Sequence, residues 1–160
     1  MWGATVVLAL AFMSLIVGAP LARAHGQGTF AFMAYSAFAG LCHQLPERSF
    51  YLAGYPLAVC ARCFGIYAGF TLGLLLYPLV RSLRDESVPA RAWLVVAALP
   101  TAVDFTLGIT GVWANTHTSR ALTGAFLGAG AVFYIMPGLC ALGRSYRSHL
   151  PLQAQAGAGR

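Results

Sequence analysis

Three cysteines and a histidine are the first residues in this sequence whose types and spacing point to chemistry. Cys42 and His43 are adjacent, and Cys60 and Cys63 follow in a Cys-x-x-Cys spacing. Thiolates and imidazole are the usual ligands of structural zinc, and an iron or iron–sulfur centre uses similar groups. The sequence therefore predicts a metal site formed by Cys42, His43, Cys60 and Cys63.

A second interpretation of the same residues is redox chemistry. Cys60 and Cys63 lie within about one helical turn of each other, so they can form a reversible disulfide, and Arg62 between them would favour the thiolate. A third is that the cysteines share no chemistry and only pack, as we expect for Cys140, which stands apart in a later apolar segment. These alternatives remain open from sequence alone.

Asp104 is the second candidate, because it is an acid inside an apolar segment, where a carboxylate is costly unless it is paired or solvated. We expect Arg120 to be its partner, with Arg62 as the second choice. A pair that only fixes helix register is the simpler interpretation. The functional one is a polar pocket that binds an anionic group such as a lipid phosphate or carboxylate, in which Asp104 handles a proton. It assigns catalysis to Asp104 and Arg120, and substrate binding to Arg48, Arg62, Asn115, His117 and Arg120.

Long apolar segments must position these groups. Of the 160 residues, 59% are hydrophobic and only 9% are charged, far from the composition of a soluble globular domain. We predict an all-α integral membrane protein, a bundle of four or five transmembrane helices with a loop region that contains the Cys and His residues. Segments of about 18 to 23 residues match the thickness of a bilayer core, and the expected spans are 3–20, 63–80, 92–111 and 121–143.

Three other segments require separate interpretation. Residues 1–24 are either a retained first helix or a cleaved signal peptide ending at Ala22-Arg23-Ala24, although the positive start typical of a signal is missing. Residues 30–45 are short for a span and are expected to form an interfacial helix, a re-entrant helix or a fifth span. Residues 144–160 are expected to form a flexible tail of a single membrane domain.

The net charge of +6 comes from ten arginines and four acids, with no lysine. Because the arginines separate apolar segments, they indicate membrane topology and the lipid bilayer as the partner, and not nucleic acid. We place the charged linker 81–91 and the tail on the cytoplasmic side of the cell (inner or plasma) membrane. The Cys, Arg and Asp residues then gather at the extracytoplasmic face.

Glycines four residues apart mark two of the expected spans, at Gly65, Gly69 and Gly73 and again at Gly124 and Gly128. Such a ridge lets another helix approach closely. We expect tight helix packing here, and the ridges also offer a surface for a homo-oligomer or a membrane-complex partner.

Two blocks of the sequence, CHQLPERSF at 42–50 and CARCFGIYAG at 60–69, together with Asp104 and the 120–124 segment RALTG, closely resemble a family of prokaryotic membrane proteins known as domain of unknown function 2085. The resemblance covers residues 38 to 137. It implies a membrane protein and does not imply an activity. The chain departs from the family pattern at Phe105, where glycine is usual, and at His117, where asparagine is common.

Three functional hypotheses follow. The first is a metal-stabilised site, with zinc or iron, that binds or handles a small anionic or lipid-like substrate. The second is a thiol–disulfide redox protein linked to a quinone held among the apolar helices, by analogy of architecture alone. The third is a non-catalytic subunit of a membrane complex. Whether the protein is an enzyme remains open at this point.

Overall fold

The computed structural model describes the backbone of residues 1–157 and the side chains of residues 1–146. Five α-helices form the described fold, with a short 3-10 turn and a small antiparallel hairpin between the second and third. The elements are α1 (Trp2–Ala24), α2 (Gly28–Ala39), the 3-10 turn (Pro46–Arg48), β1 (Tyr51–Leu52), β2 (Tyr55–Pro56), α3 (Ala61–Val80), α4 (Arg91–Ile109) and α5 (His117–Gly157).

Four of these helices are long and apolar enough to cross a membrane, namely α1, α3, α4 and the part of α5 from His117 to Tyr146. The prediction of a helical membrane protein with four spans is therefore confirmed. Helices α1, α3 and α4 begin and end within a few residues of their expected spans. Helix α5 begins four residues before its expected span. The expected tail begins at 144, but the α5 backbone continues to Gly157, and residues 158–160 lie outside the described part of the chain.

Helix α2 has 12 residues, or about 18 Å of helix, which is too short to span a bilayer core of about 30 Å. Its two ends also lie toward one membrane face. Ile16 and Ala19 near the end of α1 share a buried cluster with Val59, just before α3, so the C-terminus of α1 and the N-terminus of α3 are neighbours. The segment between α1 and α3 therefore begins and ends at the same membrane face.

The first and third helices run antiparallel. The indole of Trp2, at the start of α1, donates a hydrogen bond of 2.8 Å to the carbonyl of Leu74, near the end of α3. Helix α2 and the following loop pack against the C-terminal half of α1, where Phe38, Leu57 and Ala58 are buried. The first two helices thus form a wall beside the N-terminal end of α3.

Helices α3 and α5 run parallel and approach each other more closely than side chains would allow. A Cβ atom at Gly65 or Gly69 would overlap the backbone of Ala121 or Ala125 respectively, and one at Gly128 would overlap the carbonyl of Ile66. The absence of side chains at these positions lets the two backbones touch. This contact lies within one chain, so an oligomer would have to use another surface.

Helix α4 closes the bundle against α5 and runs antiparallel to it. The Thr101 hydroxyl donates to the carbonyl of Thr123 at 2.7 Å, and the Tyr134 hydroxyl donates to the carbonyl of Ala90 at 2.7 Å. At the other membrane face, Arg144 of α5 forms an ion pair with Glu86 of the linker between α3 and α4. The linker 81–90 and position 144 therefore share one face, opposite the N-termini of α3 and α5.

We expect Gly69→Ala to lower the free energy of unfolding by about 1–3 kcal/mol, because the added methyl group meets backbone atoms of Ala125 that cannot move aside. The measurement is thermal or denaturant unfolding of the detergent-solubilised protein, followed by circular dichroism at 222 nm.

The matched control is Gly18→Ala in α1, where a Cβ atom has nothing within 4 Å. Alanine is the better helix former, so this variant should be as stable as the parent or slightly more stable. Equal losses at both positions would contradict the close α3–α5 contact.

Candidate functional site

The segment from Gly40 to Cys60 folds over the N-terminus of α3 and holds the first cysteine there. Gln44 has a positive φ of 50°, and its side-chain amide donates to the carbonyls of Tyr35 at 2.7 Å and Ala58 at 2.8 Å. Ser49 is buried, and its hydroxyl donates to the carbonyl of Leu45 at 2.9 Å. These bonds tie the loop to itself and to α2.

Cys42, Cys60 and Cys63 lie together at the start of α3 as a result, and we call these three residues the thiol cluster. The backbone N–H of Cys60 donates to the sulfur of Cys42 at 3.2 Å, and the thiols of Cys60 and Cys63 lie near the same sulfur. All four cysteines of the described chain, including the distant Cys140, are free thiols.

The environment separates the acidities of the first two thiols. Burial alone would raise the pKa of Cys42, but hydrogen bonds from the backbone of Cys60 and Gln44 and from the neighbouring thiols outweigh it, so that the pKa is lowered. Burial raises the pKa of Cys60, and the hydrogen bond and charge of Cys42 raise it further. Cys42 is therefore the thiol that ionises first of these two.

Asp104 on α4 forms an ion pair with Arg62 on α3, and not with Arg120 as the first expectation had it. The Ser119 hydroxyl donates to the same carboxylate at 3.0 Å, and the Asn115 side-chain amide donates to the backbone carbonyl of Asp104. The backbone of Arg62 lies at the close α3–α5 contact, where its carbonyl faces Gly124. Its side chain extends from there to α4. Arg120 follows the α5 N-terminus and, together with Arg62, borders a space beside this ion pair.

That space is a cavity of about 580 Å³ at the membrane face where α3 and α5 begin and α4 ends. Its wall combines the thiol cluster with arginines from three separate elements and with apolar groups of α4. The lining residues are Cys42, His43, Leu45, Arg48, Cys60, Arg62, Cys63, Phe105, Gly108, Ile109, Asn115 and Arg120. We call this space the arginine cavity.

Two guanidinium groups at the arginine cavity carry polar atoms that lack a partner. The buried Nε atoms of Arg62 and Arg120 have no hydrogen-bond acceptor among the described residues, and the buried Oδ1 of Asn115 has no donor. A buried, unpaired donor costs about 1–3 kcal/mol, and more when it is charged. The two Nε donors are therefore left without acceptors, and none of the residues that line the cavity is acidic.

The face carries further positive potential from its helices. The N-termini of α3 and α5 lie side by side, since Gly65 contacts Ala121 one turn into each helix. The positive ends of two macrodipoles therefore add to the charges of the arginines. Arg62 also lies over the ring of Phe105, with 5.3 Å between its guanidinium carbon and the ring centroid.

Residues 42–134, more than half of the chain, match the family described as "Predicted membrane protein (DUF2085)". The chain belongs to the DUF2085 family. It is 42% identical over 103 residues to an uncharacterised protein of Methanocaldococcus jannaschii, covering 64% of this chain and 66% of the relative. It is 33% identical over 94 residues to an uncharacterised protein of Methanothermobacter thermautotrophicus, covering 58% of this chain and 82% of the relative.

The chain thus spans just under two thirds of the length of the first of these relatives. No solved structure matches the chain. The DUF2085 match confirms the family resemblance, and its boundaries also have structural meaning. It begins at Cys42 and ends at Tyr134, so it contains every residue that lines the arginine cavity, and it leaves out α1 and α2.

Most of the site residues expected from the sequence lie on the wall of the arginine cavity, and two lie outside it. The Asp104 side chain faces Arg62 and Ser119, and a separate apolar groove, instead of the cavity. His117 docks on the loop, with Nε2 3.1 Å from the carbonyl of Glu47 and its ring against Phe50. His117 therefore contacts the loop between α2 and α3, and its expected contact with a substrate stays a prediction.

The metal prediction for Cys42, His43, Cys60 and Cys63 stays a prediction. In the part of the chain with described side chains, no group of three or more His, Cys, Asp or Glu residues is placed to hold a metal ion. The apolar part of the wall was not expected from the sequence and consists of Leu45, Phe105, Gly108 and Ile109. The role of Gln44 was also not expected, although the CHQ motif was the available signal.

We expect the alkylation of Cys42 by iodoacetamide to reach half of its maximal rate at a lower pH than that of Cys60. The thiolate is the reacting form, and the pKa of Cys42 is lowered whereas that of Cys60 is raised. The measurement is peptide mass spectrometry after short pulses of reagent between pH 6 and 10. A lower midpoint for Cys60 than for Cys42 would contradict the hydrogen-bonding pattern.

We expect Asp104→Asn to destabilise the protein by about 1–3 kcal/mol, because Arg62 loses its counter-charge in a partly buried setting. Thermal unfolding in detergent measures the loss. The control is Asp85→Asn in the exposed linker, which removes a surface pair with Arg81 and should leave the unfolding midpoint unchanged. Equal midpoints for parent and Asp104→Asn would show that the pair does not hold α4 in place.

Proposed function

We propose that this membrane protein binds a small anionic group, a phosphate or a carboxylate, in the arginine cavity. The observation that carries the proposal is that Arg62 and Arg120 line one cavity and that the described residues offer no acceptor to the buried Nε atom of either. An anion in reach of both would accept the hydrogen bonds that the described residues leave unmade. Guanidinium groups hold such oxyanions through charge-assisted, often bidentate, hydrogen bonds.

Three arginines have different roles in this proposal. Arg120 is the main binding group, because none of the described hydrogen bonds or ion pairs uses its side chain. Arg62 contributes its free Nε while Asp104 holds the other end of its guanidinium, so Asp104 and Ser119 are positioning residues. Arg48 lies exposed on the 3-10 turn at the cavity wall and steers the anion inward.

The size and the position of the cavity limit the ligand. A volume of about 580 Å³ admits a small organic anion or the headgroup of a lipid, and Phe105 and Ile109 give one part of the wall an apolar character. The charged linker and Arg144 share the opposite face. With that face cytoplasmic, as the positive-inside rule favours, the arginine cavity opens on the extracytoplasmic side of the cell membrane.

The proposal is tested by calorimetric titration of the full chain, purified in an uncharged detergent, with inorganic phosphate and with acetate. A second arm uses native mass spectrometry with phosphatidylglycerol and with phosphatidylcholine, which differ in net charge. Binding of phosphate indicates a free anion as ligand. Retention of phosphatidylglycerol alone indicates a lipid headgroup.

We expect Arg120→Gln to weaken the binding of the anion that the parent accepts by about tenfold to a hundredfold, the value of a charge-assisted hydrogen bond. The matched control is Arg144→Gln, which removes an arginine from the same helix at the opposite face and should leave the affinity unchanged. Binding of none of these ligands by the parent, or an equal loss in both variants, would overturn the proposal.

A further inference from the structure

The thiol cluster and the arginines line the same cavity, although the anion-binding proposal makes no use of sulfur. Cys42, Cys60 and Cys63 contribute to a wall that also carries Arg62 and Arg120. A molecule bound to the guanidinium groups would therefore share one cavity with three thiols. A cavity built only to bind an anion has no need of these groups.

The three thiols are arranged as a connected set. Cys42 arrives from the loop, and its sulfur accepts a hydrogen bond of 3.2 Å from the N–H of Cys60 at the start of α3. The thiols of Cys60 and Cys63 lie near the same sulfur. The N–H of Cys60 therefore stabilises negative charge on the Cys42 sulfur, and two further sulfurs lie beside it.

We propose that the arginine cavity carries out thiol–disulfide exchange with a small anionic disulfide, with Cys42 as the attacking thiol and the Cys60/Cys63 pair as the resolving group. This inference rests on the proposed anion site, because the guanidinium groups would hold the charged ends of the substrate. It adds a reaction and a substrate class to that site. It also assigns the first attack to a residue outside the Cys-x-x-Cys motif.

The reaction has two steps that balance. The Cys42 thiolate attacks one sulfur of the substrate R–S–S–R, a mixed disulfide Cys42–S–S–R forms, and one thiolate R–S⁻ leaves. A thiol of the Cys60/Cys63 pair then gives its proton to a departing thiolate and attacks the Cys42 sulfur. A disulfide within the protein forms, the second R–S⁻ leaves, and two electrons have passed from protein to substrate.

The direct test is a single turnover, which needs no regenerating reductant. The reduced full chain in an uncharged detergent is mixed with 3,3′-dithiodipropionate, a dianion, or with cystamine, a dication of similar size, and intact mass spectrometry follows adduct and disulfide. We expect the dianionic disulfide to react at least tenfold faster than the dicationic one. Arg120→Gln should reduce this preference.

Variants of the cysteines assign the roles. Cys42→Ser should abolish the reaction, whereas the double variant Cys60→Ser/Cys63→Ser should stop at the mixed disulfide on Cys42. Cys140→Ser is the control, since Cys140 is buried in a separate cluster with Leu74 and Tyr77 and should leave the rates unchanged. Unfolding midpoints measured by circular dichroism establish that each serine variant is folded.

Equal rates with both disulfides, or a folded Cys42→Ser variant that reacts like the parent, would overturn the inference. The outcome is separable from that of anion binding. A protein that binds phosphate or lipid in an Arg120-dependent way but does not react with the dianionic disulfide keeps its binding function and loses this one.

Discussion

The close parallel contact between α3 and α5 is the constraint on which the rest of the structure depends. Gly65, Gly69 and Gly128 remove the side chains that would hold the two backbones apart. In a bilayer, where apolar surface gains nothing by leaving lipid, such backbone contact is a main source of helix association. Because the helices are parallel and in contact from their first turns, their N-termini, and the arginines just inside them, are brought to the same point.

The repulsion between Arg62 and Arg120 costs free energy, and the fold compensates the charge of one arginine but not that of the other. Arg62 is paired with Asp104, and its guanidinium lies over the ring of Phe105. Arg120, one helix away, has neither kind of partner among the described residues. The arrangement leaves net positive charge at a membrane face that two helix dipoles already make positive. A negative group from outside would complete such a site, which is the physical basis of the functional proposal.

Much of the fold could be read from the sequence, because span length and charge exclusion are properties of single segments. The four spans follow from apolar length alone, and the convergence of the Cys and Arg residues follows from an even number of crossings between them. The partner of Asp104 could not be read in this way. Arg62 and Arg120 both begin helices at the same face, and only the rotation of α3 and α5 about their axes decides which one meets the carboxylate.

The loop posed a different difficulty for sequence reasoning. The spacing of Cys42, His43, Cys60 and Cys63 predicted a shared metal, and this stays a prediction. In the structure, the conformation of Gln44 and its bonds to α2 hold the loop that brings Cys42 to Cys60. A positive φ at a residue other than glycine is difficult to predict from the amino-acid sequence. The approach of Cys42 to the other thiols therefore depends on tertiary hydrogen bonds that sequence spacing does not contain.

Helix α4 differs from the other spans in having no buried residue at all. It is attached through Thr101 and Tyr134 to α5 and through Asp104 to Arg62, and it carries Phe105, Gly108 and Ile109 of the cavity wall. The pair α3 and α5, in contact at its glycines, is thus the closely packed side of the cavity. Helix α4 is the side that depends on side-chain hydrogen bonds and on the Arg62–Asp104 ion pair, so the removal of these polar links would cost this wall more than it would cost α3 or α5.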